Sequence, residues 1–281
     1  MDNFPNLDYL IDMALEEDLH DSGDITSESI FSDEEHTFAL ISKDNGILCG
    51  AEVFTRVMKR LESRTNVKFF FSDGNYIKQG DHVAEISGKV ISILKAERSA
   101  LNFLSMLSAV ATRTSEFVRE AGGRAVILDT RKTLPGFRHL QKYAVRCGGG
   151  SNHRMGLYDM VMIKDNHIDA AGGISAAVKK VRSRWGDRFK IEVEARNISE
   201  VTEALNCRVN RIMLDNMGRE EVAVAVKHIG GACETEASGN MTPEKTKNVS
   251  LTGVDFISAG EITNSIKAFD FSLKDLSKGL K

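Results

Sequence analysis

The sequence predicts an α/β protein in which a β-rich N-terminal segment precedes an α/β barrel. Three observations carry that expectation. From residue 124 onward, short β-branched runs recur, and each closes on polar residues. The last four start at 189, 211, 232 and 253, intervals of 22, 21 and 21 residues that fit one strand, one helix and two short loops. Finally, every run ends in residues able to do chemistry. An open sheet concentrates such residues at one switch point, whereas a barrel rings one mouth with them.

The elements follow in order. The opening MDNFPNLDYLIDMALEEDL is acidic and amphipathic, unlike a basic-then-apolar signal peptide. Residues 73–94, DGNYIKQGDHVAEISGKVISIL, alternate apolar and polar positions between Gly turns, a β pattern. Leu94 to about Glu120 changes to helical spacing, with Leu94, Leu101, Leu104, Leu107 and Val110 near one face and Gly122-Gly123 as the stop. Six strand runs follow: 124–130, 159–166, 189–195, 211–217, 232–239 and 253–260. Between them, Asn197 with Glu200 resembles a capping box without its usual Ser or Thr, and Thr242-Pro243 puts a cap before a first-turn proline. The expected domains are 1–107, joined by 268–281, and a barrel domain, 108–267.

Bulk composition narrows the function classes. The chain has 281 residues, 42% hydrophobic and 27% charged, with a net charge of −3 and only 3 prolines, as in an ordinary globular protein. Cys49, Cys147, Cys207 and Cys233 have no C-x-x-C spacing, so neither a zinc site nor a disulfide framework is expected. No run reaches the roughly 18 apolar residues of a membrane span. The expectation is a cytoplasmic protein that takes small partners, not a nucleic acid or a membrane.

Against that acidic background, residues 131–154, RKTLPGFRHLQKYAVRCGGGSNHR, hold six Lys or Arg and no Asp or Glu. The run follows the strand Ala125–Asp129 and contains Gly148-Gly149-Gly150, where backbone can approach a ligand closely. A solvated charged face is the plainer account of a charge run. Strand, cations and glycines together point instead to a pocket for a small, heavily anionic substrate.

The strand ends supply the rest of the ring. The first brings Thr130, Arg131 and Lys132; the second brings Lys164, Asp165 and Asn166; the third and fourth bring Glu194 and Asp215. The fifth brings Ser238, Gly239 and Asn240, and the sixth Ala259 and Gly260. A cationic arc thus faces two carboxylates, and small residues leave room for a phosphate on backbone N–H groups. Glu194 and Asp215 could be an acid/base pair, a magnesium and sugar-hydroxyl clamp, or salt-bridge partners; deeper Glu192 and Glu234 read as structural counterions. Lys164 could instead be a desolvated Schiff-base amine of a lyase. His153 suits an acid/base or a neutral hydrogen-bond donor, and His36, His82 and His228 read as surface residues. A binding protein with a decayed site is the non-enzymatic alternative.

At these residues the chain resembles the quinolinate phosphoribosyltransferase family. The matches run nearly end to end: Glu17-Asp18-Leu19 with Gly23-Asp24-Ile25-Thr26, Gly46–Gly50, Ala96–Asn102, Asp129–Gly136, Gly148–Leu157, Ile163–His167 and Leu214-Asp215-Asn216. The resemblance implies an N-terminal α/β open-sandwich domain plus an incomplete, six-to-seven-stranded α/β barrel. It implies phosphoribosyl transfer from phosphoribosyl pyrophosphate to quinolinate, giving nicotinate mononucleotide, pyrophosphate and CO₂. Arg131, Arg154 and Arg98 would hold the substrate carboxylates, and Lys132 and Lys164 the phosphate or pyrophosphate oxygens. Glu194 and Asp215 would serve ribose hydroxyls or Mg²⁺. Ser238, Gly239, Asn240, Ala259 and Gly260 would receive the 5′-phosphate. A homodimer, or a hexamer built from it, is implied, with Arg98 serving the neighbouring subunit. A branch found with molybdate-transport genes shares these motifs and a different substrate. The family usually reads S-G-G where this chain has Ser238-Gly239-Asn240. Gly260-Glu261-Ile262-Thr263-Asn264 replaces a pattern like G-A-L-T-H.

Overall fold

The computed structural model describes residues 4–278. Its strands are β1 (Glu35–Ser42), β2 (Gly46–Ile47), β3 (Asn66–Phe69), β4 (Tyr76–Ile77), β5 (His82–Lys89), β6 (Val126–Leu128), β7 (Val161–Ile163), β8 (Ile191–Ala195), β9 (Arg211–Asp215), β10 (Glu234–Ser238), β11 (Phe256–Ser258) and β12 (Phe271–Asp275). Its helices are α1 (Leu7–Leu19), α2 (Ser27–Ile30), α3 (Ala51–Leu61), α4 (Val90–Ala121), α5 (Arg138–Cys147), α6 (Asp165–Ala171), α7 (Ile174–Trp185), α8 (Ile198–Asn206), α9 (Arg219–Ile229), α10 (Pro243–Ser250) and α11 (Glu261–Asn264).

The chain forms two compact units. The first takes residues up to 113, 135–149 and those from 266 onward; the second takes 114–134 and 150–265. This differs from the expected split of 1–107 and 108–267. Residues 135–149, which include α5, cluster with the first unit although they follow β6 directly. Continuous sequence ranges cannot express a chain that leaves one core and returns to it. Residues 279–281 of the expected C-terminal addition lie outside the described residues.

In the first unit, an antiparallel sheet runs β12-β1-β5-β3, with β2 and β4 paired separately. The alternation read in residues 73–94 becomes β4, β5 and the start of α4, burying Ile77, Val83, Ala84 and Ile86. Helix α1 buries Leu7, Ile11 and Leu15, four residues apart on one face. Helix α4 begins at Val90, ahead of the expected Leu94, and stops at Gly122 and Gly123, with φ of 58° and 73°. Those left-handed angles explain the glycine pair.

In the second unit, six parallel strands run β6-β11-β10-β9-β8-β7. The first strand of the series pairs with the last, as in a barrel, but β6 and β7 do not pair with each other. The barrel is therefore incomplete, and a lone bridge from Leu128 to Ser151 extends the β6 edge. All five residues of β8 are buried, as expected of a strand covered on both faces. The helix starts read from sequence hold: Asn197 Oδ1 accepts the Glu200 N–H at 3.0 Å, and Thr242 Oγ1 accepts the Lys245 N–H at 3.3 Å ahead of Pro243. The box around Asn197 is not reciprocal, because Glu200 turns back to the Arg196 N–H and guanidinium.

Candidate active site

Parallel strands deliver their C-terminal residues to one mouth, and there a cavity of about 880 Å³ opens in the second unit. Thr130, Arg131 and Lys132 after β6 line it, as do Lys164 after β7, Glu194 on β8 and Asp215 on β9. Ser238, Gly239 and Asn240 line it after β10, Gly260 after β11, and His153 and Arg154 from the loop before β7. Three residues expected at the rim, Ala259, Asp165 and Asn166, fall elsewhere, and Arg98 is the one expected to serve a neighbouring subunit. Ala259 is buried, its N–H bonded to the Leu128 carbonyl at 3.0 Å, and Arg98 belongs to α4 in the first unit. Asp165 and Asn166 open α6 and do not line the cavity.

The segment bearing His153 and Arg154 is held from β6. Buried Asp129 accepts the Asn152 side-chain amide at 2.6 Å and the His153 N–H at 2.9 Å. Charge-assisted bonds of this kind fix a loop that otherwise has glycines on its approach. Burial and the nearby Arg131 charge hold the Arg154 guanidinium below its ordinary pKa. The two guanidinium charges thus act on each other, an arrangement that favours an anion between them.

Lys164 Nζ meets Glu194 Oε2 at 2.7 Å and is 44% exposed. An ion-paired, solvated amine lacks the desolvation that activates an imine-forming lysine, which weighs against the lyase alternative. Asp215 Oδ2 accepts the Asn216 side-chain amide at 2.7 Å. Glycine is required at 239, and at 260 a side chain would have to displace the flexible Lys132. A Cβ on Gly239, at φ 106°, would lie 2.2 Å from Asn216 Oδ1, and one on Gly260 would lie 2.9 Å from Lys132 Cδ. The carbonyl of Lys132 also accepts the Thr263 hydroxyl at 2.7 Å, so α11 holds that cation in place. Asn240 occupies the left-handed region at φ 48°, where Asn is the best substitute for the glycine of the usual S-G-G wording.

Beneath the mouth lies a charge network. His153 Nε2 is 3.0 Å from Glu192 and 3.4 Å from Glu236, both fully buried. Arg211 reaches Glu236 at 2.9 Å and Glu234 at 3.0 Å. Burial opposes a second proton on His153, while the two carboxylates favour it strongly enough to push its pKa up to about 9. The Arg154 N–H points at Nδ1 from 2.7 Å and acts against that proton. Burial and the Glu236 charge raise the Glu192 carboxyl, while at Glu236 burial is outweighed by His153, Ser258 and Arg211 together, which lower it. Glu192 and Glu234 are counterions, as expected. Glu236 was missed, although its two-residue spacing from Glu234 and Ser238 put it on the same face. His36 and His82 are half-buried rather than surface residues, and His36 pairs with Asp275 at 2.7 Å. Met162, Met213, Glu261 and Asn264 also line the cavity. The two methionines carried no chemical signal in the sequence, since strand methionines usually fill cores.

Models of two domains match the chain: the quinolinate phosphoribosyl transferase N-terminal domain over residues 24–108 and its C-terminal domain over 110–274. A nicotinate-nucleotide pyrophosphorylase [carboxylating], chloroplastic, of Oryza sativa is 42% identical, with 96% of this chain and 77% of that protein covered. A probable nicotinate-nucleotide pyrophosphorylase [carboxylating] of Bacillus subtilis is 40% identical, covering 90% and 88%. The solved nicotinate-nucleotide pyrophosphorylase of Francisella tularensis superposes with a TM-score of 0.93 at 40% identity, covering 97% of each chain.

Arg211 should be the counterion on which the buried carboxylates depend. Arg211→Met is expected to cost about 3–5 kcal/mol of unfolding free energy, because it strands buried charge. The double variant with Glu236→Gln should lose less than the sum of the two single losses. Strictly additive losses in urea unfolding would show that the pair is not coupled.

Proposed function

Because the chain belongs to the quinolinate phosphoribosyltransferase family, we propose that its barrel mouth transfers phosphoribosyl from phosphoribosyl pyrophosphate to quinolinate, with loss of CO₂. The product is nicotinate mononucleotide, a step of NAD biosynthesis. The observation that carries the reading is one cavity in which Arg131, Lys132, Arg154 and Lys164 face Glu194 and Asp215. A substrate with two carboxylates and another with a pyrophosphate need that many cations, and a developing sugar cation needs carboxylates.

Arg131 and Arg154 hold the quinolinate carboxylates as planar forks. The repulsion between their charges supports this role, since an anion bound to both relieves it. Lys132 and Lys164 neutralise phosphate or pyrophosphate oxygens. The ring nitrogen of quinolinate attacks the anomeric carbon as pyrophosphate leaves, and Glu194 and Asp215 stabilise the oxocarbenium-like sugar between them. Ser238, Gly239 and Gly260 receive the 5′-phosphate on backbone N–H groups and a hydroxyl, with Asn240 at the edge of that cradle. His153 stiffens the floor through Glu192 and keeps Arg154 oriented by accepting its N–H. After transfer, the quaternary ring nitrogen stabilises the carbanion left by decarboxylation, so no decarboxylation cofactor is needed.

Mg²⁺ fits this donor set as an ion brought with the pyrophosphate. Among the described residues, Glu194 and Asp215 do not belong to a cluster of three or more possible ligands. Two carboxylates with substrate oxygens and water are an ordinary magnesium environment. When bound, the ion shares the charge of the leaving pyrophosphate. Among the described residues no helix is long and apolar enough to cross a membrane. The free thiols suit a reducing cytoplasm, where the protein works as a homodimer.

Purified protein given quinolinate, phosphoribosyl pyrophosphate and magnesium should release pyrophosphate and stoichiometric CO₂. Binding of both without turnover would overturn the assignment. Arg131→Gln or Arg154→Gln should weaken quinolinate binding roughly 10- to 150-fold, about 1.5–3 kcal/mol, and phosphoribosyl pyrophosphate binding far less. Unchanged quinolinate titrations in both variants would remove the forks from this role. Glu194→Gln and Asp215→Asn should lower kcat more than they weaken quinolinate binding. A rise confined to the KM for quinolinate would mean the carboxylate is misassigned. Arg98 serves the neighbouring subunit's site in this reading. Mixing inactive Arg98→Ala and inactive Lys164→Ala proteins should therefore regenerate activity once subunits have exchanged, and activity left at background would sink the shared site.

A further inference from the structure

The first unit gathers two thiols that lie 98 positions apart in the chain. Cys49 lies in the middle of the β2–α3 connection and is fully buried, while Cys147 is the last residue of α5 and is partly exposed. Their sulfurs and a carboxylate oxygen of Asp73 all lie within 4.8 Å of one another. Tyr143 also lies near the Cys147 sulfur, with its hydroxyl donated to Asp73 at 2.7 Å. The neighbouring Cys49, with Tyr143 and Arg146 nearby, favours the thiolate at Cys147, although burial and Asp73 work against it, and the balance lies below the ordinary thiol value. Burial drives the Cys49 thiol the other way, so it stays protonated.

Asp73 is already occupied. Its oxygens accept the Gly50 N–H at 3.0 Å, the Ala51 N–H at 3.1 Å and the Tyr143 hydroxyl at 2.7 Å, which fixes the start of α3. A metal would have to take the carboxylate from these donors, and the two sulfurs alone do not make a site. The same arrangement suits redox chemistry: one partly exposed thiol that ionises more readily than usual, with one sheltered thiol beside it.

We propose that Cys49 and Cys147 are an oxidisable dithiol, a modification site separate from the barrel cavity, that a hydroperoxide converts to a disulfide. The Cys147 thiolate attacks a peroxide oxygen; an S–O bond forms, the O–O bond breaks, and the alkoxide leaves and is protonated. The sulfur of Cys49 then displaces the hydroxyl of the sulfenic acid. An S–S bond forms, the S–O bond breaks, and the Cys49 proton leaves with the hydroxyl as water. Two thiols have given two electrons to one peroxide. Cys207 and Cys233 belong to the second unit, and neither is in a cluster of this kind among the described residues.

The test uses the whole reduced protein treated with limiting hydrogen peroxide, alkylated, and mapped by peptide mass spectrometry without reductant. The expected result is one cross-linked pair carrying Cys49 and Cys147, lost on reduction, with Cys207 and Cys233 alkylated. Two of the four thiols should disappear from a thiol titration. In Cys49→Ala, Cys147 should accumulate as a sulfenic acid trapped by dimedone; if that variant does not fold, the wild-type map decides alone. Three results would overturn the proposal. Cys147 could react no faster than Cys207, it could link to a cysteine other than Cys49, or stoichiometric zinc could block both thiols until a chelator removes it. None of these readouts depends on turnover, so they stand apart from the assigned reaction.

Discussion

Buried carboxylates in the barrel floor set the terms for everything above them. Glu192 and Glu236 are fully buried on β8 and β10, where an unpaired charge would be costly. Arg211 on β9, the strand between them, and His153 from the loop supply the partners. The parallel register places Arg211 opposite both Glu192 and Glu234, so the ion pairs join neighbouring strands at one level of the barrel. Because Arg211 also lies over the Phe256 ring at 4.0 Å, β11 is drawn into the same network. His153 extends it upward to the residue that follows, Arg154, at the mouth.

That layering separates two electrical tasks. In the floor, acids and bases balance at short range and hold the strands together. At the mouth cations gather: the Arg131 and Arg154 charges act on each other, and Lys164 pairs with Glu194. A site poised in this way has least to rearrange when anionic substrates enter. The glycines at 239 and 260 then serve packing as much as flexibility, because Asn216 and Lys132 fill the space a side chain would take.

Much of this was legible in the chain. The six strand runs were found because parallel strands are apolar on both faces and stop at turn residues. The mouth residues were found because the polar residue just past a barrel strand faces one common rim. Other features were hidden. The excursion of residues 135–149 into the first unit leaves no mark on periodicity, which reports an element's faces and not its neighbours. Glu236 looked like one more acid on a strand until its burial against His153 was visible. Cys49 and Cys147 have no motif spacing, so only folding brings their sulfurs together.

By itself the sequence determined the kinds of element, their order, and the inventory of charges at each strand end. Those follow from local rules: side-chain period, turn chemistry, and the residue after each strand. Tertiary structure alone decided which charges became floor and which became mouth. It also decided the burial of His153 between two carboxylates and the meeting of two distant thiols. Pairings of this kind depend on distances across the fold, and dielectric screening falls with burial, so the same residue type takes opposite roles according to what packs around it.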